Sequence, residues 1–261
     1  MNQAATRPQR DRSVTTLAML TDSQQAAIRR IPAEADAVVA PILASRPSAI
    51  FTGQERFDTE QASIFRRYPV PITLSALLAE PGTVVASDGY GVPLLICRGR
   101  DSVIRVFINA CQHKGAKLVE DCEVHRKTRL TCPYHAWTYG IDGKLMGVAR
   151  NDAFLELDKA TRNLAELPAR EWGGVIYAQL HTASEPDWSQ IDPQIAADFE
   201  ALGVPGMHVY GRQIFDLKAN WKVIMDLFSE SYHLKFVHQE SVARIYSNGD
   251  NPFGHYAALK F

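Results

Sequence analysis

Cys111-Gln112-His113-Lys114-Gly115-Ala116 and Cys132-Pro133-Tyr134-His135-Ala136-Trp137-Thr138-Tyr139-Gly140 set one Cys–His pair on each of two loops, with eighteen residues between His113 and Cys132. A C-x-H … C-x-x-H arrangement is what a [2Fe–2S] cluster needs when two imidazoles replace two thiolates on one of its irons. Each loop then gives a thiolate to one iron and an imidazole to the other. Neutral imidazoles in place of anionic thiolates raise the reduction potential, which suits such a centre to take an electron from an ordinary ferredoxin and pass it on. The same four side chains are also a Cys2His2 zinc set. Structural zinc sites, however, pair like with like, as C-x2–4-C and H-x3–5-H, whereas both pairs here are mixed. Gly115 and residues 136–140 surround the pairs with small residues, hydroxyls and an aromatic lid, the devices that tune cluster sulfurs.

Outward from the loops, the pattern is β-rich. Asp142-Gly143 is a strong hairpin turn signal. Residues 83–87, 92–98 and 102–109 read as strands separated by Gly-containing or charged turns, and residues 173–180 as a buried strand. Upstream, residues 22–45 carry helical spacing that Pro32 and Pro41 must interrupt. Residues 57–67 read as a short amphipathic helix with Phe57, Ile64 and Phe65 on its buried side. Residues 182–190 read as a linker, and His208 falls in a short strand at residues 208–210.

Composition narrows the function classes. The 261 residues are 46% apolar with a net charge of −1 and no basic stripe, so nucleic acid is not an expected partner. No run reaches eighteen apolar residues, so no membrane span is expected. The polar start at residues 1–13 lacks a signal-peptide core, which gives a cytoplasmic expectation, with about the first twelve residues disordered. The four cysteines do not form a disulfide framework. Two are in the pairs, and Cys97 sits in the apolar run 92–97 as a small buried hydrophobe. Cys122 lies with His125 in a polar loop where a further metal site is the less favoured reading. His181, His208 and His255 read as surface or internally satisfied histidines, and Trp221 and Tyr232 as core or interface aromatics.

A second constellation occupies residues 220–238, NWKVIMDLFSESYHLKFVH. Its few breakers and the spacing of Val223, Ile224, Leu227 and Phe228 give a helix. Glu230 and His233, three apart, share a face. His233 and His238, five apart, lie about 140° apart on a regular helix, so one ion can take both only if the chain loosens between Leu234 and Val237, through a π-type bulge or a helix end. The plainer reading is an amphipathic helix with two polar-face histidines. The nearby Asp226 reads as a solvent-facing or outer-sphere acid.

Together, CQHKGA, CPYHAWTYGIDGKL and the NWK … acid … YH-x4-H segment resemble the large (α) subunit of Rieske non-haem iron ring-hydroxylating oxygenases. Lys114 stands where the family most often has arginine, and Tyr134 where respiratory Rieske proteins carry a disulfide cysteine. The resemblance implies an α+β chain. An N-terminal extension at residues 1–45, partly disordered, and a helical lead-in at 46–74 that belongs to the catalytic domain precede an all-β Rieske [2Fe–2S] domain at 75–181. The first part of a helix-grip (START-like) catalytic domain follows at 182–261. It assigns Cys111, His113, Cys132 and His135 to the cluster and His233 and His238 to a mononuclear Fe(II) facial triad. Glu230 becomes the acid that bridges His233 to His135 of a neighbouring subunit. The implied partners are a ferredoxin or flavin reductase, O2 and a small organic substrate. The implied assembly is a homotrimer, with or without a small β subunit. The family's third ligand is an aspartate far downstream. Glu240 and Asp250, the acids after His238, lack that context, so a chain truncated relative to the family is expected. Two readings follow: an oxygenase component that hydroxylates or demethylates its substrate, or a catalytically incomplete [2Fe–2S] electron-transfer protein. An aromatic acid, a polycyclic hydrocarbon and a quaternary amine all stay open as substrates.

Overall fold

The computed structural model describes residues 20–30, 45–182, 184–229 and 233–241. Helix α1 (Asp22–Arg29) is closed by a Thr21–Gln24 capping box. Helices α2 (Ala49–Thr52) and α3 (Gln54–Glu60) follow, and α3 runs into a π-turn at Gln61–Phe65. Then come β1 (Val70–Leu74), β2 (Thr83–Ser87), β3 (Leu94–Arg98), β4 (Ile104–Ile108), β5 (His125–Arg126), β6 (Arg129–Thr131), β7 (Thr138–Gly140), β8 (Leu145–Gly147), β9 (Glu166–Leu167), β10 (Ala169–Trp172) and β11 (Val175–Ala178). Helices α4 (Pro193–Ala201), α5 (Trp221–Ser229) and α6 (Leu234–Val237) complete the described elements.

The strands form three antiparallel sheets, ordered β5-β2-β3-β4-β9, β1-β11-β10 and β6-β7-β8. The central five-stranded sheet is covered on both faces, which explains why β2 and β3 are apolar almost throughout. Side chains alternate across a strand. Val84, Ala86, Leu95, Cys97 and Phe107 therefore join a core with Leu130 and Tyr139 of the β6-β7-β8 sheet. Val85, Leu94, Ile96 and Val106 join another with Val70, Ile176 and Ala178 of the β1-β11-β10 sheet. Cys97 is fully buried, and burial pushes its thiol up to about 12, as expected of a small hydrophobe. Where β3 ends, Arg98 pairs in a fork with Glu171 of β10, Nη2 to Oε1 at 2.7 Å and Nη1 to Oε2 at 3.1 Å.

The Asp142-Gly143 turn forms as expected, joining β7 to β8, with Gly140 N–H donating to Lys144 C=O at 2.9 Å. Glycine is required there twice over. Gly143 has φ +81°, and a Cβ on it would come within 2.4 Å of the Phe107 ring.

Four expectations need correction. Ile64 is 38% exposed, because the π-turn rotates it away from the side that buries Phe65. The buried strand at 173–180 is one arm of a hairpin: Gly173-Gly174 turns β10 into β11, and β1 lies on the other side. Residues 208–210 are not a strand, and Tyr210 is fully exposed. Residues 188–190 in the expected linker form a short 3-10 turn. The helical spacing past residue 30 lies outside the described residues up to 44, as do His255 and Tyr232. No helix among the described residues is long and apolar enough to cross a membrane.

Candidate metal centres

The two Cys–His loops are built alike. Cys111 N–H donates to Ala116 C=O at 2.9 Å, and its own carbonyl accepts from Gly115 N–H at 2.8 Å. Cys132 N–H donates to Trp137 C=O at 2.8 Å, and its carbonyl accepts from Ala136 N–H at 3.0 Å. Both loops close through a left-handed residue, Gly115 at φ +76° and Ala136 at φ +55°. Alanine there is strained, so the second loop holds its shape against a local penalty.

This construction sorts the four side chains by kind. Cys111 and Cys132, each 3% exposed, lie within hydrogen-bonding reach of each other inside the core shared with Tyr139. His113 and His135 meet farther out, ring centres 4.7 Å apart, with His135 exposed. Both cysteines are free thiols. Burial raises the pKa of Cys111, and the adjacent Cys132 adds to the rise while Tyr139 opposes it. Two abutting buried thiols can ionise together only beside a compensating cation. His113 is held toward its neutral form, first by burial, then by the His135 and Lys114 charges. Its Nδ1 is buried and without a hydrogen-bond partner. A thiol pair inside and an imidazole pair outside, one orphaned nitrogen among them, fit a [2Fe–2S] cluster with Cys111 and Cys132 on one iron and His113 and His135 on the other. Zinc needs all four donors around one point. Among the described residues no group of three or more His, Cys, Asp or Glu is gathered that way.

The sequence placed hydroxyls and an aromatic lid at 136–140 but not their contacts. Trp137 stacks on His113 at 4.8 Å and 5°, and Phe154 meets both rings edge-on. A depression of about 390 Å3 opens beside the imidazoles, walled by Pro133, Tyr134, Arg150 and Phe154. Tyr139 Oη lies 3.3 Å from Cys111 Sγ and accepts from Gln112 N–H at 3.0 Å. A metal-bound thiolate carries no proton, so the phenol is then the donor. That bond favours the more negative, reduced state. Tyr139→Phe should therefore lower the midpoint potential by about 50 mV, the scale of one weak hydrogen bond in a one-electron couple; redox titration followed by EPR reads it.

At the second constellation, α5 forms at Trp221–Ser229, and Glu230 lies outside the described residues. His233 and His238 flank α6, ring centres 5.6 Å apart and 70° between planes. Two imidazoles sharing one ion at about 2.1 Å have centres roughly 5 Å apart. The loosening is placed differently from expectation. Residues 234–237 are helical, and the ladder ends at His238, whose φ and ψ are −114° and 31°. The π-turn is in another helix, at Gln61–Phe65. Asp226, on α5, is exposed. The Cys122–His125 loop gathers no metal set. His125 Nε2 lies 2.6 Å from Asp121 Oδ1, and Cys122 C=O accepts from Arg212 Nη1 at 2.6 Å.

Comparison with known proteins gives two family matches: the Rieske [2Fe–2S] domain over residues 69–165 and the ring-hydroxylating α-subunit catalytic domain over residues 204–260. The carnitine monooxygenase oxygenase subunit of Acinetobacter baumannii is 31% identical, over 72% of this chain and 50% of that protein. Chloroplastic choline monooxygenase of Spinacia oleracea is 26% identical, over 84% of this chain and 51% of that protein. A solved structure of naphthalene 1,2-dioxygenase from Rhodococcus sp. bound to indole superposes with a TM-score of 0.66 at 25% identity, covering 77% of this chain and 47% of that one. The chain spans about half the length of the curated relatives it matches.

Proposed function

The chain belongs to the Rieske [2Fe–2S] ring-hydroxylating oxygenase α-subunit family, and from that premise we propose that it serves an oxygenase component acting on a quaternary ammonium compound. The Cys111–Cys132 and His113–His135 pairing supports the electron-entry half of this reading, as a one-electron site whose imidazole side faces outward, and the His233–His238 pair supports the oxygenase half. The relatives named for carnitine and choline support this substrate class over the aromatic options of the sequence reading. When bound, the cluster supplies single-electron transfer and a ferrous ion at His233 and His238 supplies the oxygen chemistry. The chain's own residues hold these groups and tune them: Tyr139 donates to the Cys111 sulfur, Trp137 stacks on the His113 ring, and α6 carries His233 and His238 at its ends. Hydroxylation of such a substrate consumes O2, two electrons and two protons, and returns water with the hydroxylated product. A ferredoxin or flavin reductase is the proposed electron source, a homotrimer the proposed assembly, and Glu230 the proposed bridge between subunits.

Metal and sulfide counting tests the reading. An oxygenase component holds three irons per two acid-labile sulfides, and its reduced form gives the low average g value of a His-ligated cluster. Choline or carnitine should perturb the EPR of the nitrosyl complex formed at the third iron, whereas naphthalene should not. Two irons per two sulfides would leave only the electron-transfer protein.

A further inference from the structure

Helix α5 enters the His233–His238 segment from an anchored start. Trp221 Nε1 donates to Glu60 Oε2 at 3.0 Å, and Lys222 Nζ donates to the same oxygen at 2.5 Å. Arg56 Nε donates to Oε1 at 2.8 Å. Glu60 is 3% exposed, and these donors, Lys222 foremost, bring its carboxyl down to about 2. Lys222 also lies over the Trp221 ring at 5.2 Å.

Five residues on, Phe65 meets the same Trp221 edge-to-face at 5.1 Å and 86°. Phe65 also touches Tyr90 at 5.6 Å and packs against the core that contains β2, β3 and β11. In an uninterrupted α-helix, residues five apart point about 140° apart, so Glu60 and Phe65 would not face one indole. The π-turn at Gln61–Phe65, closed by Arg66 N–H to Gln61 C=O at 3.0 Å, inserts the extra residue that brings both to the same side. A buried ion pair is a weak stabiliser but strict in its geometry. Here that strictness falls on the first turn of the helix preceding the histidines.

We propose that Glu60 and Phe65, aligned by the π-turn, are positioning residues that fix the entry of α5 against the iron–sulfur domain and so set His233 and His238 for their metal. The inference rests on the reading of those two histidines as iron ligands. It gives residues 54–65, distant in sequence from either metal motif, a role in joining the two.

The test uses the full chain with its cluster in place and Co(II) as the probe, read by its visible d–d absorption. Glu60→Gln should weaken Co(II) binding roughly tenfold, the low end for outer residues that orient a ligand. The visible circular dichroism of the cluster should not change. Glu60→Met/Lys222→Met keeps apolar packing without the ion pair, so thermal stability should recover while Co(II) affinity stays low. If affinity recovers together with stability, or is unchanged in Glu60→Gln, the anchor has no positioning role. His233→Ala/His238→Ala separates the two readings. If Co(II) absorption is absent in the parent chain or survives this change, the iron reading fails and the anchor inference with it. If absorption depends on the histidines but not on Glu60, the anchor alone fails.

Discussion

Cys132→Ser gives a colourless chain: iron and acid-labile sulfide both fall to background, and dithionite elicits no EPR signal. The effect is all-or-none because Cys132 is half of the inner thiol pair, at 3% exposure, with Cys111 as its counterpart. A serine hydroxyl does not ionise in that core, where even the Cys111 thiol is pushed up by burial. The remaining Cys111 thiolate holds one iron through a single bond. A zinc site would answer differently, since three of four donors still bind zinc, only more weakly. His135→Ser removes one donor from the outer, exposed pair and leaves both thiolates, so residual iron and sulfide are expected there. If Cys132→Ser keeps its iron and sulfide, or if the parent chain purifies with one zinc and no sulfide, the cluster assignment is wrong. Secondary structure by far-ultraviolet circular dichroism controls for folding, because Cys132 shares its core with Val84, Leu95 and Phe107 of the central sheet.

The cluster motif was legible because its information is local: two short loops, each with its ligands two or three residues apart, and a Gly143 turn whose φ demands glycine. Strands β2, β3 and β4 were legible from apolar runs ended by turn residues, with ends off by at most two residues. What was not legible depends on long-range pairing. Residues 208–210 have strand-like composition but meet no partner strand among the described residues, and propensity without a partner does not make a strand. The hairpin at Gly173-Gly174 reads as one strand in the sequence because the two central residues of β10, Arg170 and Glu171, are charged, and its register comes from β11. The π-turn at Gln61–Phe65 has no sequence signature. It follows from Glu60 and Phe65 both reaching Trp221, more than 150 residues away. Tyr139 was recognised as a hydroxyl near the sulfurs, but its 3.3 Å contact with Cys111 is set by the β7 register against β6.

Arg98→Met should destabilise the chain by about 2 kcal/mol at pH 7, the scale of leaving the carbonyls that Arg98 serves without their donor, with a smaller part from the salt bridge to the part-exposed Glu171. The Arg98 side chain is 10% exposed and leaves few of its donors unused. Nη2 and Nη1 hold Glu171, Nη1 also donates to Ser102 C=O at 3.0 Å, and Nε donates to Leu78 C=O. These bonds tie β3 of the central sheet to β10 of the next, so their loss opens the seam between the two sheets and strands a carboxylate and two carbonyls. The pH dependence has a definite sign. Arg98 depresses the Glu171 carboxyl below its ordinary 4.5, against the opposing effect of burial. A depressed carboxyl contributes stability that is present above 4.5 and is lost as pH falls through the folded-state value. Parent and variant should therefore differ most at neutral pH and converge on acidification below 4.5. Arg98→Met/Glu171→Met should recover only the part owed to the unpaired carboxylate, since the Leu78 and Ser102 carbonyls still lack their donor. Urea unfolding followed by tryptophan fluorescence at pH 7 and pH 4 measures all three chains. A single variant within 1 kcal/mol of the parent at pH 7, or a gap that widens in acid, would show that the seam is held by packing between Ile96, Val106 and Ile176 and owes nothing to the charge pair.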